Sequence, residues 1–303
     1  MRTRFLGDGG PEVSVVGLGT NNFGRRCDYE QTLAVIDAAL EAGVTLFDTA
    51  DIYGQGMSEE YIGRALEGRR DRVLIATKFG SEMDERPEER RGNPDYVRWA
   101  VEGSLRRLRS DVIDVYQMHQ PDPLTPIEET LGGLNDLVHE GKVRWIGSSN
   151  VSAEQIDAAE EVARGAGFHR FVSVQNEYSF VEREAEDEVL ATCETLRIGF
   201  LPYFPLASGL LTGKYRRGEL ASEGRLAGRE IPAEQWDRVE ALQRLADERG
   251  ASLLEVAIGG LLAMPAVTCV IAGATTPEQV RANAAAGAWE PRADDVEELR
   301  ALR

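Results

Sequence analysis

Four side chains stand at or just beyond the ends of apolar runs, and together they could manage a proton. Asp48 lies in TLFDTA (45–50), Tyr53 in the loop that follows, Lys78 near the end of VLIATKF (73–79) and His119 near the end of DVYQMHQ (114–120). A free phenol has a pKa of about 10 and is a poor acid at neutral pH. A neighbouring ammonium favours the phenolate and lowers that pKa, and a carboxylate can hold the ammonium in place. An imidazole beside the phenol can donate a hydrogen bond to a carbonyl oxygen. The set would make a general acid for an oxygen that becomes an alkoxide. Asp51 competes with Asp48 for the carboxylate role, but Asp48 ends the apolar run. Lysine is rare here: Lys78, Lys142 and Lys214 are the only three among 34 basic residues. Lysine, unlike arginine, is a compact charge that titrates, so its retention at position 78 fits a chemical need. No obvious nucleophile and no metal-ligand spacing accompanies the four, which places the chemistry on a bound cofactor.

These side chains can meet only if several strand ends converge. Apolar runs at 13–19, 45–50, 73–79, 114–120, 143–149, 171–177, 199–205 and 269–273 read as strands. They are mostly continuous rather than alternating, as parallel strands buried on both faces require. Helical spacing fills the intervals at 29–43, 58–68, 93–108, 125–141, 152–167 and 187–199, and a further helix begins near Pro277. Ser58 is the expected N-cap of the second. Eight units in 303 residues give about 38 residues each, the rhythm of an α/β (β/α)8 TIM barrel, with residues 1–303 as a single domain. A doubly wound open sheet shares the alternation and is the rival. In a barrel the C-terminal strand ends carry the site, adding Ser148, Ser149, Asn150, Gln175 and Asn176 to the candidates. Two long insertions follow strands, at 81–92 and 207–232. The second holds five basic residues (Lys214, Arg216, Arg217, Arg225, Arg229) against three acidic ones (Glu219, Glu223, Glu230). A basic island on an acidic chain suggests an anionic ligand beneath it.

Charge and cysteines narrow the partners. With 52 acidic and 34 basic residues the net charge is −18, which argues against nucleic acid. No apolar run approaches the roughly 18 residues of a membrane span, and the N-terminus lacks the apolar core of an export signal. Cys27, Cys193 and Cys269 are scattered and odd in number. That fits a reducing cytoplasm and neither a disulfide framework nor a zinc cluster. Nothing in the sequence signals an oligomeric state. His139 and His169 read as surface residues, and Lys142 as a helix-end charge.

GLGTNNFG (17–24), FDTADIYGQGMSEEYIGRAL (47–66), IATKFG (75–80), YQMHQPD (116–122), RWIGSSNVS (144–152), QNEYS (175–179), PYFPLASGLLTGKY (202–215) and IAGATTPEQVRAN (271–283) occur in this order. Over nearly the whole chain this resembles the aldo-keto reductase family. The resemblance implies a (β/α)8 barrel that reduces a small-molecule aldehyde or ketone with NADPH or NADH. It makes Tyr53 the proton donor, Lys78 and Asp48 its tuning pair, and His119 the residue that orients the carbonyl. Ser149, Asn150 and Gln175 would face the nicotinamide carboxamide, with Thr20, Asn21 and Asp48 near the same ring and Tyr203 stacked beneath it. Phe204, Pro205, Leu206, Ala207 and Ser208, with Lys214, would follow the pyrophosphate. Gly273, Thr275, Gln279 and Asn283 would surround the adenosine. The sequence departs from many relatives in lacking Lys or Arg at Gly273, Ala274, Thr275, Thr276 and Gln279, where the 2′-phosphate of NADPH is gripped. Arg281 is the nearby base there, and Arg225 could supply the charge instead, which keeps NADPH ahead of NADH.

Two other readings remain open. The potassium-channel β subunits share this resemblance and imply a redox-sensing protein that binds the cofactor with little turnover; His119 favours the enzyme. A Schiff-base lyase would use Lys78 as nucleophile. The aromatic residues Phe23, Tyr29, Phe79 and Phe180 are expected to line the substrate pocket.

Overall fold

The eight predicted strands all enter one parallel sheet in the computed structural model, which describes residues 1–87, 89–219 and 224–302. Positions 220–223 of the 207–232 loop, Glu223 included, and position 88 of the 81–92 segment lie outside the described residues. A hairpin of β1 (Thr3–Phe5) and β2 (Glu12–Ser14) precedes the sheet. The sheet strands are β3 (Val16–Gly19), β4 (Leu46–Asp48), β5 (Leu74–Phe79), β6 (Ile113–Met118), β7 (Val143–Ser149), β8 (Phe171–Gln175), β9 (Gly199–Phe200) and β10 (Val270–Gly273). Neighbours in sequence pair in parallel from β3 to β9, and β10 returns to pair with β3. Backbone bonds from Thr268 N to Phe200 O (2.9 Å) and from Ile271 N to Pro202 O (3.0 Å) close the seam. The result is the (β/α)8 barrel; the open-sheet alternative is excluded by that closure.

The helices are α1 (Tyr29–Glu41), α2 (Met57–Ala65), α3 (Pro94–Leu108), α4 (Ile127–His139), α5 (Ala153–Ala166), α6 (Val189–Leu196), α7 (Ala233–Arg249), α8 (Leu253–Leu262), α9 (Pro277–Ala286) and α10 (Ala293–Ala301). Caps set their starts. Asp28 with Gln31, Ser152 with Gln155 and Ser252 with Glu255 form capping boxes, each satisfying amides that the first helical turn leaves free. The expected cap of α2 is different. Gly56 takes the N-cap position in a left-handed conformation, and Ser58 turns its hydroxyl inward to Thr49 and Thr20. Gly63 lets α2 cross α3 closely, because a Cβ there would lie 2.5 Å from the Arg107 carbonyl oxygen.

The first predicted strand, 13–19, divides in two: Ser14 ends β2, and its hydroxyl bonds the Val16 carbonyl where β3 begins. The β1–β2 hairpin inserts Leu6 and Val13 under the barrel, where they pack with Leu46, Ala76, Val115, Leu201 and Ile271 as the interior core. A larger apolar layer lies between strands and helices. Near the hairpin end, a second cavity of about 690 Å³ is lined by Arg69, Arg70, Arg72 and Arg144. Arg69 pairs with Asp37, Arg70 and Arg144 share Asp114, and Glu12 and Asp71 also line the wall, so its cations are largely offset by carboxylates of the protein.

Register decides which residues face inward. Asp48 pairs with Ala76, and Lys78 with Gln117. Side chains alternate along a strand. Asp48, Ala76, Lys78 and Gln117 therefore share the interior, and Phe79 points outward to the helices. Gln117 pairs in turn with Gly147, and Ser149 with Gln175, which brings both of these to the same rim.

Candidate active site

The floor of the rim is a buried ion pair. Lys78 Nζ donates to both carboxylate oxygens of Asp48 (2.8 and 2.7 Å) and to the Thr49 carbonyl (2.9 Å). Gln175 (2.8 Å) and Gln117 (3.3 Å) donate amide protons to Asp48 Oδ1. Burial alone would lower the pKa of Lys78. The Asp48 carboxylate outweighs it and holds the lysine above its ordinary pKa. An ammonium with this pKa and 1% exposure is a poor Schiff-base nucleophile.

Tyr53 sits above this pair, with Lys78 Nζ 5.3 Å from its ring centroid. The sequence led us to expect a phenol pKa lowered by the lysine. The direction is upward, because burial of the phenol outweighs the opposing Lys78 charge. His119 stands beside the phenol, ring centroids 5.9 Å apart and nearly perpendicular. Burial, with the Lys78 charge adding to it, pulls its pKa down to about 3. At neutral pH both the phenol and the imidazole are therefore uncharged. Asp51 does not share the role of Asp48. It is buried, neither carboxylate oxygen has a hydrogen-bond partner among the described residues, and burial with Glu59 nearby raises its pKa well above the usual range.

A cavity of about 690 Å³ opens from Tyr53 and His119 and runs to Gln279 and Asn283. This lies within the roughly 300–1,000 Å³ of small-molecule and cofactor sites. Thr20, Asn21, Asp48, Ser149, Asn150, Gln175, Tyr203, Phe204, Pro205, Leu206, Ser208, Lys214, Arg225, Gly273, Thr275, Gln279 and Asn283 all form its wall; of the expected cofactor residues only Ala207 does not. Asn150, Phe204, Ala207 and Ser208 hold left-handed backbone (φ 57°, 51°, 45° and 59°), the kind of strain that persists where surrounding structure enforces it at functional sites. Asn150 accepts from the Tyr203 hydroxyl (2.7 Å) and donates to the His119 carbonyl (2.8 Å), tying the cavity wall to the histidine. Ser149 donates to the Gln175 carbonyl (2.6 Å). Asn176 instead braces the loop at Val151.

The far end is cationic. Arg225 donates to Asn21 Oδ1 (2.6 Å) and Asn22 Oδ1 (3.0 Å), and its guanidinium lies 5.4 Å from the Phe204 ring centroid. Burial, then the charges of Arg26 and Arg25, lower its pKa. Arg26 and Lys214 also reach the wall. Arg281 is occupied by Glu41 and Glu278. Helix α9 starts at Pro277 as expected, capped by Thr276. A polar end beside Tyr53, a strained backbone cradle and a cationic end whose Arg225 has no carboxylate partner among the described residues fit a nicotinamide dinucleotide.

Sequence reasoning missed Gln117, Asn22 and Arg26. It misplaced the aromatic residues: Phe23, Phe79 and Phe180 are 0%, 0% and 1% exposed in the outer core, and Tyr29 packs on Tyr61. His139 and His169 are exposed, and Lys142 pairs with Glu102 and Glu140 at a helix end. The three cysteines are free and buried. Among the described residues no helix is long and apolar enough to cross a membrane.

Comparison with known proteins agrees with this geometry. The model of the "Aldo/keto reductase family" matches residues 15–303. Aldo-keto reductase YhdN of Bacillus subtilis (strain 168) is 37% identical over an alignment covering 100% of this chain and 93% of that protein. The uncharacterized oxidoreductase YrpG of the same strain is 38% identical, covering 93% of this chain and 89% of its own length. A probable voltage-gated potassium channel subunit beta of Oryza sativa subsp. japonica is 34% identical over 93% and 90%. The barrel, the buried Asp48–Lys78 pair beneath Tyr53 and His119, and a match that runs almost end to end make this chain a member of the aldo/keto reductase family and an oxidoreductase.

Proposed function

We propose that the protein reduces aldehydes or ketones to alcohols with NADPH, Tyr53 supplying the proton. The observation that carries this reading is that Tyr53 and His119, ring centroids 5.9 Å apart, both line the cavity, with the Asp48-paired Lys78 ammonium 5.3 Å from the phenol ring. When bound, the reduced nicotinamide supplies hydride to the carbonyl carbon. His119 donates a hydrogen bond to the carbonyl oxygen and orients it. Tyr53 passes its proton to that oxygen as negative charge gathers there. Lys78 stabilises the phenolate left behind, and Asp48 keeps the lysine charged and aimed. Ser149, Asn150 and Gln175 would hold the carboxamide, and Phe204–Ser208 with Lys214 would follow the pyrophosphate. Arg225 and Arg26 would favour the 2′-phosphate of NADPH over NADH. We read residues 1–303 as one domain acting in the cytoplasm, in keeping with three unpaired buried cysteines.

The test is loss of dihydronicotinamide absorbance with a nitrobenzaldehyde and a panel of ketones. Steady consumption of NADPH is expected. Tight NADPH binding without consumption of any carbonyl would reject the enzyme and favour a redox-sensing binding protein, the alternative that the sequence leaves open.

A further inference from the structure

We propose that Ser81 is a positioning residue for His119: its hydroxyl donates to Nδ1 and fixes the ring as the tautomer with hydrogen on Nε2. The consequence for rate rests on the reductase reading, whereas the tautomer is a property of the chain alone. Ser81 Oγ lies 3.0 Å from His119 Nδ1. A neutral imidazole carries one N–H, and the bond at one nitrogen decides what the other can do. With Nδ1 accepting, Nε2–H is left to donate into the cavity that His119 lines. With the hydrogen on Nδ1, the Nε2 lone pair would confront the lone pairs of a carbonyl oxygen.

Both residues are anchored, so their contact is built into the fold. Gly80, at φ +99°, turns the chain off β5 and over the rim. Its carbonyl accepts from Arg91 Nε (3.0 Å), and the Ser81 carbonyl accepts from the Tyr96 hydroxyl (2.9 Å). Tyr96 is wholly buried in the first turn of α3, and its amide is capped by Asn93. Across the gap, the His119 amide donates to the Phe79 carbonyl (2.8 Å) and its own carbonyl accepts from Asn150 (2.8 Å). Among the described residues the Ser81 hydroxyl has no acceptor other than Nδ1, and Nε2 has no partner. Donation from Ser81 therefore satisfies both groups and leaves the second ring nitrogen for the substrate.

The experiment reads the ring directly. In cofactor-free, ¹⁵N-labelled protein at neutral pH, long-range ¹H–¹⁵N correlation separates protonated from unprotonated ring nitrogens. The chain has three histidines, and His119→Gln assigns the relevant signals. The wild type is expected to show Nε2 protonated and Nδ1 bare. Ser81→Ala is expected to move both shifts toward a tautomer mixture and to lower kcat about tenfold, the scale of one oriented hydrogen bond. Its KM for NADPH is expected to stay unchanged, and Ser81→Thr to restore ring shifts and kcat. A wild-type ring protonated at Nδ1, or Ser81→Ala with unaltered His119 shifts, overturns the proposal. A wild type that turns over no carbonyl would defeat the reductase reading instead, and the ring shifts would still decide the tautomer.

Discussion

Lys78 and Asp48 form a two-point ion pair at 2.7 and 2.8 Å, with side chains only 1% and 4% exposed. Removing one partner of such a pair leaves an uncompensated buried charge, at a cost of about 3–5 kcal/mol. Lys78→Met is therefore expected to destabilise the fold strongly, in addition to abolishing reduction, because among the described residues Asp48 keeps only the neutral donors Gln117 and Gln175. The double variant Asp48→Asn/Lys78→Met is expected to lose clearly less than the sum of the singles. Denaturant unfolding of all four proteins checks this, and strict additivity would show the pair to be energetically uncoupled.

Tyr53→Phe removes the donor and leaves the ring in place. The rate of carbonyl reduction is expected to fall about a hundred- to ten-thousandfold, the contribution of a positioned general acid. NADPH affinity, read by fluorescence titration, is expected to change little. Loss of affinity with an intact rate at saturating NADPH would place Tyr53 in binding rather than proton transfer.

The barrel was legible because parallel strands buried on both faces leave mostly continuous apolar runs, such as the 73–79 stretch that holds β5 and is buried from Ile75 to Phe79. The β1 strand was not, since three residues with an exposed Phe5 carry no periodicity. Asp48 and Lys78 were readable as strand-end polar groups. Gln117 was hidden in mid-strand, where only the register against Lys78 reveals that it faces inward. Phe79 was misplaced for a reason present in the sequence: it follows Lys78, so alternation sends it to the opposite face, against Tyr116. Arg26 is distant in sequence from Arg225, and only the fold brings both to one cavity wall.

His119 ties stability and activity to pH in a definite direction. Its pKa is about 3 when folded against an ordinary 6.5. Between those values the unfolded chain binds a proton that the folded one refuses, so stability falls as pH drops through this window and is fully retained above it. Wild-type unfolding free energy is expected to decline more from about pH 7 to about pH 4 than that of His119→Gln. Tyr53, its pKa raised, stays protonated over the same range. Neither group is thus expected to bend the kcat profile between about pH 5 and about pH 8. A bell with a limb near pH 6.5 belonging to His119 would contradict a neutral ring.

Among the described residues Arg225 is held by two asparagine oxygens rather than by a carboxylate, beside Arg26 and Arg25, on a chain of net charge −18. Like charges kept together without a counter-ion repel, and an incoming dianion relieves that repulsion while gaining charge-assisted hydrogen bonds. Arg281, the base nearest the adenosine end in sequence, is already neutralised by Glu41. Arg225→Ala and Arg26→Ala are therefore each expected to weaken NADPH about tenfold more than NADH, roughly the value of one charged hydrogen bond. The NADPH affinity of the wild type is expected to fall more steeply with added salt than that of either variant. Titration of both cofactors against all three proteins measures this. Equal weakening of NADPH and NADH would put the two arginines on the shared diphosphate, and no weakening would take them out of the cofactor site.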